Sequence, residues 1–517
     1  MEKHGSESYF VLGEGLLTES VGGRPRVLAR TVEAATPPFR FSRMGPGGGG
    51  RQPSGSARRK LGDAMAIGGG GNGQIPAGFT YLGQFADHDL TFDKTTVMLG
   101  ELVSATQLLQ ARSPSLDLDS LYGAGPTDPE SEKFYEADGI HLKMGRTVAF
   151  EGIAGKDGFD LPRGAGTTAA ARRKAIIPDP RNDENLAVAQ THLAFIRFHN
   201  RVVDSLPSSL APAQRFARAR RTVTRHYQWM LRTDFLPRIC AASVVNDVFS
   251  NGRKAFEVGV TPTEVPTMPI EFSVAAYRLG HSMIRRAYNW NRIFDDGFGS
   301  LDLLFRFSGG SGNLDRLPRL PSTWIADFRR LYDFTEAGRA DLAVPAGKFN
   351  RAMRIDTRLS TPLRDLPGFP ASEDNLAFRN LSRARMVRLA TGQQMAAFLR
   401  GKGVSVTTLT RAQLRDGNDG AALDGLTQSQ RQAILRDTPL WFYILREAEL
   451  NNGKLKGVGA RIVAETFHRA MEGSQISIVR DPTWRPSLGP DSSTFRMVDL
   501  LLFAFRGRKA LLNPLGG

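Results

Sequence analysis

From Phe79 onward the apolar residues of this chain recur three and four positions apart. They do so over 80–92, 103–112, 185–206, 212–235, 271–286, 324–336, 376–399, 428–449 and 457–471. That period lays an apolar stripe along a helix and has no counterpart on a strand. Two-residue alternation is confined to 141–152 and 346–355. The spacing predicts a mainly α fold, a single large helical domain over 79–517 with minor short β-strands. Residues 1–78 read differently. GPGGGG, SGS and GGGGNG fall between Met44 and Gly78. Glycine at that density favours loop, so 1–78 is expected to be an irregular N-terminal arm.

A chain of 517 residues can bury its core unaided by covalent staples. This one must, because Cys240 is its single cysteine. That excludes intramolecular disulfides, zinc sites built on several thiolates and four-cysteine iron–sulfur clusters. Most transition-metal capacity therefore rests with eight histidines. The net charge is +16, with 55 arginines and 13 lysines. The cations come in short, scattered groups such as Arg172-Arg173-Lys174. A solvated basic surface is expected, and no nucleic-acid partner. The rival of another class is a polyanion-binding protein, which would be colourless and would lose its ligand steeply with salt. The start, MEKHGSESYFVLGEG, lacks the apolar core of a Sec signal, and no run of 18 apolar residues exists. A cytoplasmic protein without a transmembrane helix is expected, export by a non-Sec route being the alternative.

Four clusters carry the candidate chemistry. In Gly83-Gln84-Phe85-Ala86-Asp87-His88-Asp89, one helical face holds Gln84, Asp87, His88 and Thr91. Asp89 is turned about 100 degrees from His88. An amide, an acid and an imidazole on one face suit proton transfer, although alone the cluster reads as a solvated helix end. Pro178-Asp179-Pro180-Arg181-Asn182-Asp183-Glu184-Asn185 precedes a long helix and reads as a capping turn with an Arg181–Glu184 ion pair. In Ala275-Ala276-Tyr277-Arg278-Leu279-Gly280-His281-Ser282, Gly280 costs about 1 kcal/mol in mid-helix, which asks for a packing reason. His281 is either a satisfied core histidine or a haem or metal ligand. In Asn380-Leu381-Ser382-Arg383-Ala384-Arg385, Asn380 can accept a proton from the ring of a ligating histidine, and the arginines can pair with carboxylates. Alone, this is a basic helix face. A fifth segment, Ser113 to Asp119, bears a side-chain oxygen at every second position. It reads either as a solvated edge strand or as a calcium loop closing on Asp89.

In order and spacing these clusters resemble the animal-type haem peroxidases, the superfamily of myeloperoxidase, lactoperoxidase and the cyclooxygenases. The resemblance runs from about residue 79 to the end and is nearest the disulfide-free bacterial members. It implies a haem b enzyme that reduces hydrogen peroxide by way of a ferryl intermediate and oxidises a small donor: a phenol, a dye, a halide or thiocyanate. It makes His88 similar to the distal histidine, Gln84 to the distal glutamine and Arg181 to the distal arginine. It makes His281 the iron ligand, with Asn380 accepting from its Nδ1. Arg278 and Arg383 would hold haem propionates, and Asp87 and Glu184 would form esters with haem methyl groups. Asn185 stands where myeloperoxidase has a sulfur-bonded methionine, so that bond is not expected. Calcium would be held by side chains of Asp89, Ser113, Asp117 and Asp119 and by the carbonyl of Ser115. The neighbouring alternative is a fatty-acid dioxygenase of the same superfamily, which carries a tyrosine three residues before the proximal histidine. Here that position is Arg278, and Tyr277, one residue earlier, is expected to turn away by about 100 degrees.

Overall fold

Apolar residues at helical spacing bury one another in a mainly α-helical core. The structure is a computed structural model. It describes residues 39–517 apart from 50, 51, 96, 98, 367 and 368, together with two short strands, Glu19–Val21 and Arg24–Arg26. The frame comprises α1 (Gly55–Met65), α2 (Gly78–Leu90), α3 (Leu186–Ser205), α4 (Pro212–Met230), α5 (Leu376–Met386), α6 (Gly392–Gly401), α7 (Leu440–Glu449), α8 (Gly457–Gly473) and α9 (Met497–Ala504).

The axis of the core is α3. Asn185 caps it, its Oδ1 accepting from Val188 N at 2.9 Å. Sixteen of its twenty residues are buried, as a helix packed on several sides requires. It lies against α2, α4 and α9. On the other side of the molecule α7 packs on α8, and both cover the turn Ala276–Leu279. Strands are short, the longest being Asn72–Pro76, which pairs antiparallel with Arg351–Met353. No helix among the described residues is long and apolar enough to cross a membrane.

Several expected helices are broken, each for a local reason. Residues 103–112 form only the 3-10 turn Ala105–Gln107, because the Gln110 side chain accepts from Phe92 N and donates to Leu90 O, drawing the stretch alongside 92–95. Residues 324–336 divide into 3-10 turns capped by Asp327 and Asp333, whose carboxylates accept from the backbone two residues on. Pro439 ends the run 428–449 in its middle. The expected irregular arm also needs correction. Residues 55–65 form α1, which packs on α5, and 72–76 are a strand. Apolar side chains Ala57, Leu61 and Met65 are buried there, so the glycines flank a helix instead of dissolving it. Apart from the two short strands, residues 1–38 lie outside the described residues.

Candidate active site

The segment 271–286, read as one helix, folds as three short pieces: Ile270–Ser273, the 3-10 turn Ala276–Leu279 and Gly280–Met283. Ala275 leaves helical geometry at φ −133, ψ −71. The Arg278 carbonyl accepts from Trp441 Nε1 of α7 at 3.3 Å, and Tyr277 stacks on Phe272 with ring centroids 4.6 Å apart. Long-range packing thus outweighs a helical propensity worth well under about 1 kcal/mol per residue.

Gly280–Met283 faces α2 across a cleft of about 550 Å³, its open mouth included. Gln84 and Asp87 line it from α2, and Tyr277, Arg278, Gly280 and His281 from the opposite wall. Tyr277 therefore does not turn away, as an unbroken helix would require. A side chain built on Gly280 would meet nothing within 4 Å, so this glycine keeps space open instead of serving a close contact.

His88 sits behind the α2 wall with no solvent exposure. Its Nδ1 lies 2.9 Å from Asn182 Oδ1, which can only accept, so Nδ1 carries the proton. Its Nε2 has no hydrogen-bond partner among the described residues and lies 3.8 Å from Glu184 Oε1. Burial, reinforced by the Arg181 charge, pushes His88 down to about 3, so the ring is neutral. Glu184 accepts from Gln84 Nε2, and Asn185 Nδ2 donates to Gln84 Oε1 at 3.0 Å. Burial lifts the Asp87 carboxyl to about 6 against the opposing charges of Arg181 and Arg278.

The Arg181–Glu184 pair does not form. Asp179 caps a 3-10 turn over Pro180–Asp183 and takes Arg181 Nε at 3.0 Å and Nη2 at 2.7 Å. Arg181 Nη2 also donates to His88 O at 2.9 Å. Arg112 meets the same Asp179 at 2.6 Å, leaving the buried group of two guanidiniums and one carboxylate net positive. Asn182, Asp179 and Arg112 are the partners the sequence reading missed. The first two stand inside a quoted cluster, but spacing carried no sign of what they touch.

Asn380 reaches His281, as expected, but with the opposite polarity. Arg278, which can only donate, gives Nη1 to Asn380 Oδ1, so the amide nitrogen faces His281 Nδ1 at 2.8 Å. Asn380 is a donor to Nδ1 here, not the acceptor. Arg383 does not line the cleft and pairs with Asp93. Arg385 donates to the Gly100 carbonyl at 3.2 Å and pairs with no carboxylate among the described residues.

The segment 113–119 is not a solvated edge strand; Ser113 to Leu118 are buried in turns. Asp89 accepts from Leu118 N, Ser120 N and Ser120 Oγ at 3.2–3.3 Å. Asp117 accepts from Gln475 N and Ile476 N, Ser113 Oγ and Ser115 Oγ are 2.6 Å apart, and Asp119 faces Arg220 at 3.6 Å. Burial lifts Asp89 to about 8, with Asp119 and Asp117 adding to the rise, and lifts Asp117 to about 6. Among the described residues no three acidic, histidine or cysteine side chains converge in the manner of a metal site.

Residues 82–298 match the animal haem peroxidase family. This stretch is similar to an animal haem peroxidase domain. The match ends before α5, so Asn380 and Arg383 lie beyond it. A peroxidase-like protein of Margaritifera margaritifera is 27% identical over 214 residues, 40% of this chain and 26% of that protein. The chain thus aligns with about a quarter of that relative's length. Among solved structures, peroxidase A of Dictyostelium discoideum superposes with a TM-score of 0.57 at 15% identity, over 92% of this chain and 94% of that one. The fatty acid alpha-dioxygenase of Arabidopsis thaliana superposes with a TM-score of 0.55 at 14% identity, over 89% and 75%. The fold is thus shared with enzymes of two kinds.

Proposed function

We propose that the chain is a haem-dependent peroxidase that reduces hydrogen peroxide and draws electrons from a small organic donor or a (pseudo)halide. The observation that carries this reading is His88, neutral and buried, its Nδ1 proton held by Asn182 and its Nε2 without a hydrogen-bond partner among the described residues, one wall away from His281. The residues fit a haem: an imidazole and an acid line the cleft, Gly280 leaves it open, and Arg278 supplies a cation for an anionic group. Haem, when bound, would supply the redox chemistry with peroxide.

His281 would hold the iron through Nε2, which must then be unprotonated. The Asn380 amide would have to turn over to accept from Nδ1, as it could if Arg278 left it for a haem propionate; Arg383 would reach the second propionate only by leaving Asp93. His88 Nε2 takes the proton from peroxide and returns it to the departing oxygen, a role worth about 10²–10⁴-fold. Arg181, whose Nη2 donates to His88 O, would supply positive charge next to that base. Gln84 orients the polar end of the cleft through Glu184 and Asn185. Asp87 and Glu184 are the carboxyls for ester links to the haem, and Asp89, Ser113, Ser115, Asp117 and Asp119 the calcium ligands. Mutual repulsion between buried Asp89 and Asp117 and the partly exposed Asp119 supports a cation there. One mass measurement tests both attachments: native spectra of the loaded protein should carry a calcium increment, and denaturing spectra after peroxide turnover should retain the haem mass. Loss of either increment rejects that attachment.

A second reading has one observation in its favour. Tyr277 lines the cleft beside His281, its hydroxyl donating to Gly83 O at 3.1 Å, and could serve a fatty-acid dioxygenase. The haem-loaded protein should oxidise a phenolic dye only when peroxide is added. Oxygen uptake with linoleate, abolished by Tyr277→Phe and without dye oxidation, would replace the peroxidase reading by the dioxygenase one. A colourless protein would sink both.

A further inference from the structure

A second cleft, sharing no lining residue with the first, holds about 1200 Å³ with its open mouth included. Arg43, Arg385, Arg388 and Gln52 line it, over a floor of Gly47 to Gly49. Arg43 comes from a loop more than 300 residues away from the other two arginines. The loop is built in, not draped over. Glu271, fully buried, accepts from Met44 N at 2.9 Å and Gly45 N at 3.2 Å. Gly48 N donates to Arg388 O at 2.8 Å, and a side chain on Gly48 would collide with Leu389 O at 2.1 Å. Gly47 and Gly49 have open space where a side chain would be.

Among the described residues the charges of this cleft are uncompensated. Arg43 donates only to the carbonyls of Arg388 and Val387, and Arg385 only to that of Gly100. Arg388 makes no side-chain hydrogen bond or ion pair among the described residues, and no carboxylate pairs with any of the three. Glu271 feels the Arg43 charge, but its oxygens are taken by Met44 and Gly45. Behind the cleft Arg58 is 7% exposed, its Nε without a partner. Burial and then the charge of Arg385 draw its guanidinium down to about 10.

Basic residues are favoured at a helix C-terminus, which accounts for Arg385 at the end of α5. It does not account for Arg43, which comes from a distant loop. Arg388 holds φ +49, where glycine is the usual occupant and a bulky side chain is strained. Guanidinium groups suit planar bidentate contact with carboxylate and phosphate oxygens. We propose that this cleft binds the oxyanion headgroup, phosphate or carboxylate, of a small organic molecule. Its volume exceeds what a bare anion needs, and half-exposed Leu102 at the rim offers apolar contact to the rest of such a molecule.

The test is calorimetric titration of the full chain, with and without haem, using phenyl phosphate as one probe and benzoate as the other. At least one should bind saturably in both states of the protein, so the result stands apart from the peroxidase reading. Arg385→Gln with Arg388→Gly should weaken that binding at least about tenfold. Glycine accepts φ +49, so the melting temperature should hold or rise. Should the double variant fail to fold, Arg43→Gln should weaken the same probe. The responding probe tells phosphate from carboxylate. Saturable binding of neither, or unchanged affinity in the folded variants, overturns the proposal.

Discussion

Haem added to the His281→Ala protein is expected to give no stable Soret-absorbing complex. His281 is 3% exposed, Asn380 holds its Nδ1, and the adjacent Gly280 opens onto the cleft. Among the described residues no second imidazole lines that cleft. Losing a residue that merely orients a ligand costs about 10–100-fold in affinity, and losing the ligand itself should cost more. Imidazole added to a His281→Gly variant should restore the band, because the missing ring leaves a hole of its own shape. Undiminished haem binding by His281→Ala would overturn the assignment, and rescue by imidazole separates loss of the ligand from loss of the fold.

His88→Ala should keep haem and slow the reaction with peroxide by about 10²–10⁴-fold, the usual worth of a positioned acid–base group. Asn182→Ala should slow it less, by releasing the Nδ1 proton that keeps Nε2 bare. The pH profile gives a second reading. The folded value for His88, about 3, lies below the ordinary 6.5, so the fold disfavours the protonated ring. The neutral, proton-accepting form therefore persists as pH falls through 6.5 and is lost only as pH nears 3. Stopped-flow rates for the peroxide step should stay level from pH 7 to about pH 4, where an exposed histidine would already have lost most of its activity. A midpoint near 6.5, or a His88→Ala rate equal to wild type, would reject His88 as the base.

Much of this was legible in the chain. α2, α3 and α8 follow the apolar period closely, because each buries a continuous stripe against several neighbours and the pattern is the imprint of that burial. The clusters around His88, Arg181, His281 and Asn380 were each ordinary alone; their order and spacing carried the family resemblance, and residues 82–298 match that family.

The partners were another matter. From sequence, Arg181 and Glu184 are an ion pair three apart, worth about a few tenths of a kcal/mol. In the fold, buried Asp179 outcompetes Glu184 for the guanidinium, and Glu184 turns to Gln84. The α1 helix was hidden by flanking glycines, and the turn that brings Tyr277 into the cleft by an apolar period that a helix would also satisfy. Local spacing is enough to set which segments bury a helical face and which residue types stand ready for the chemistry. That Asn182 holds His88, that Arg278 sets the polarity of Asn380 and that Arg43 meets Arg385 and Arg388 emerges only when distant segments fold together. Contacts across hundreds of residues are set by how the core closes, and single hydrogen bonds and charges take whichever buried partner that closure brings within reach.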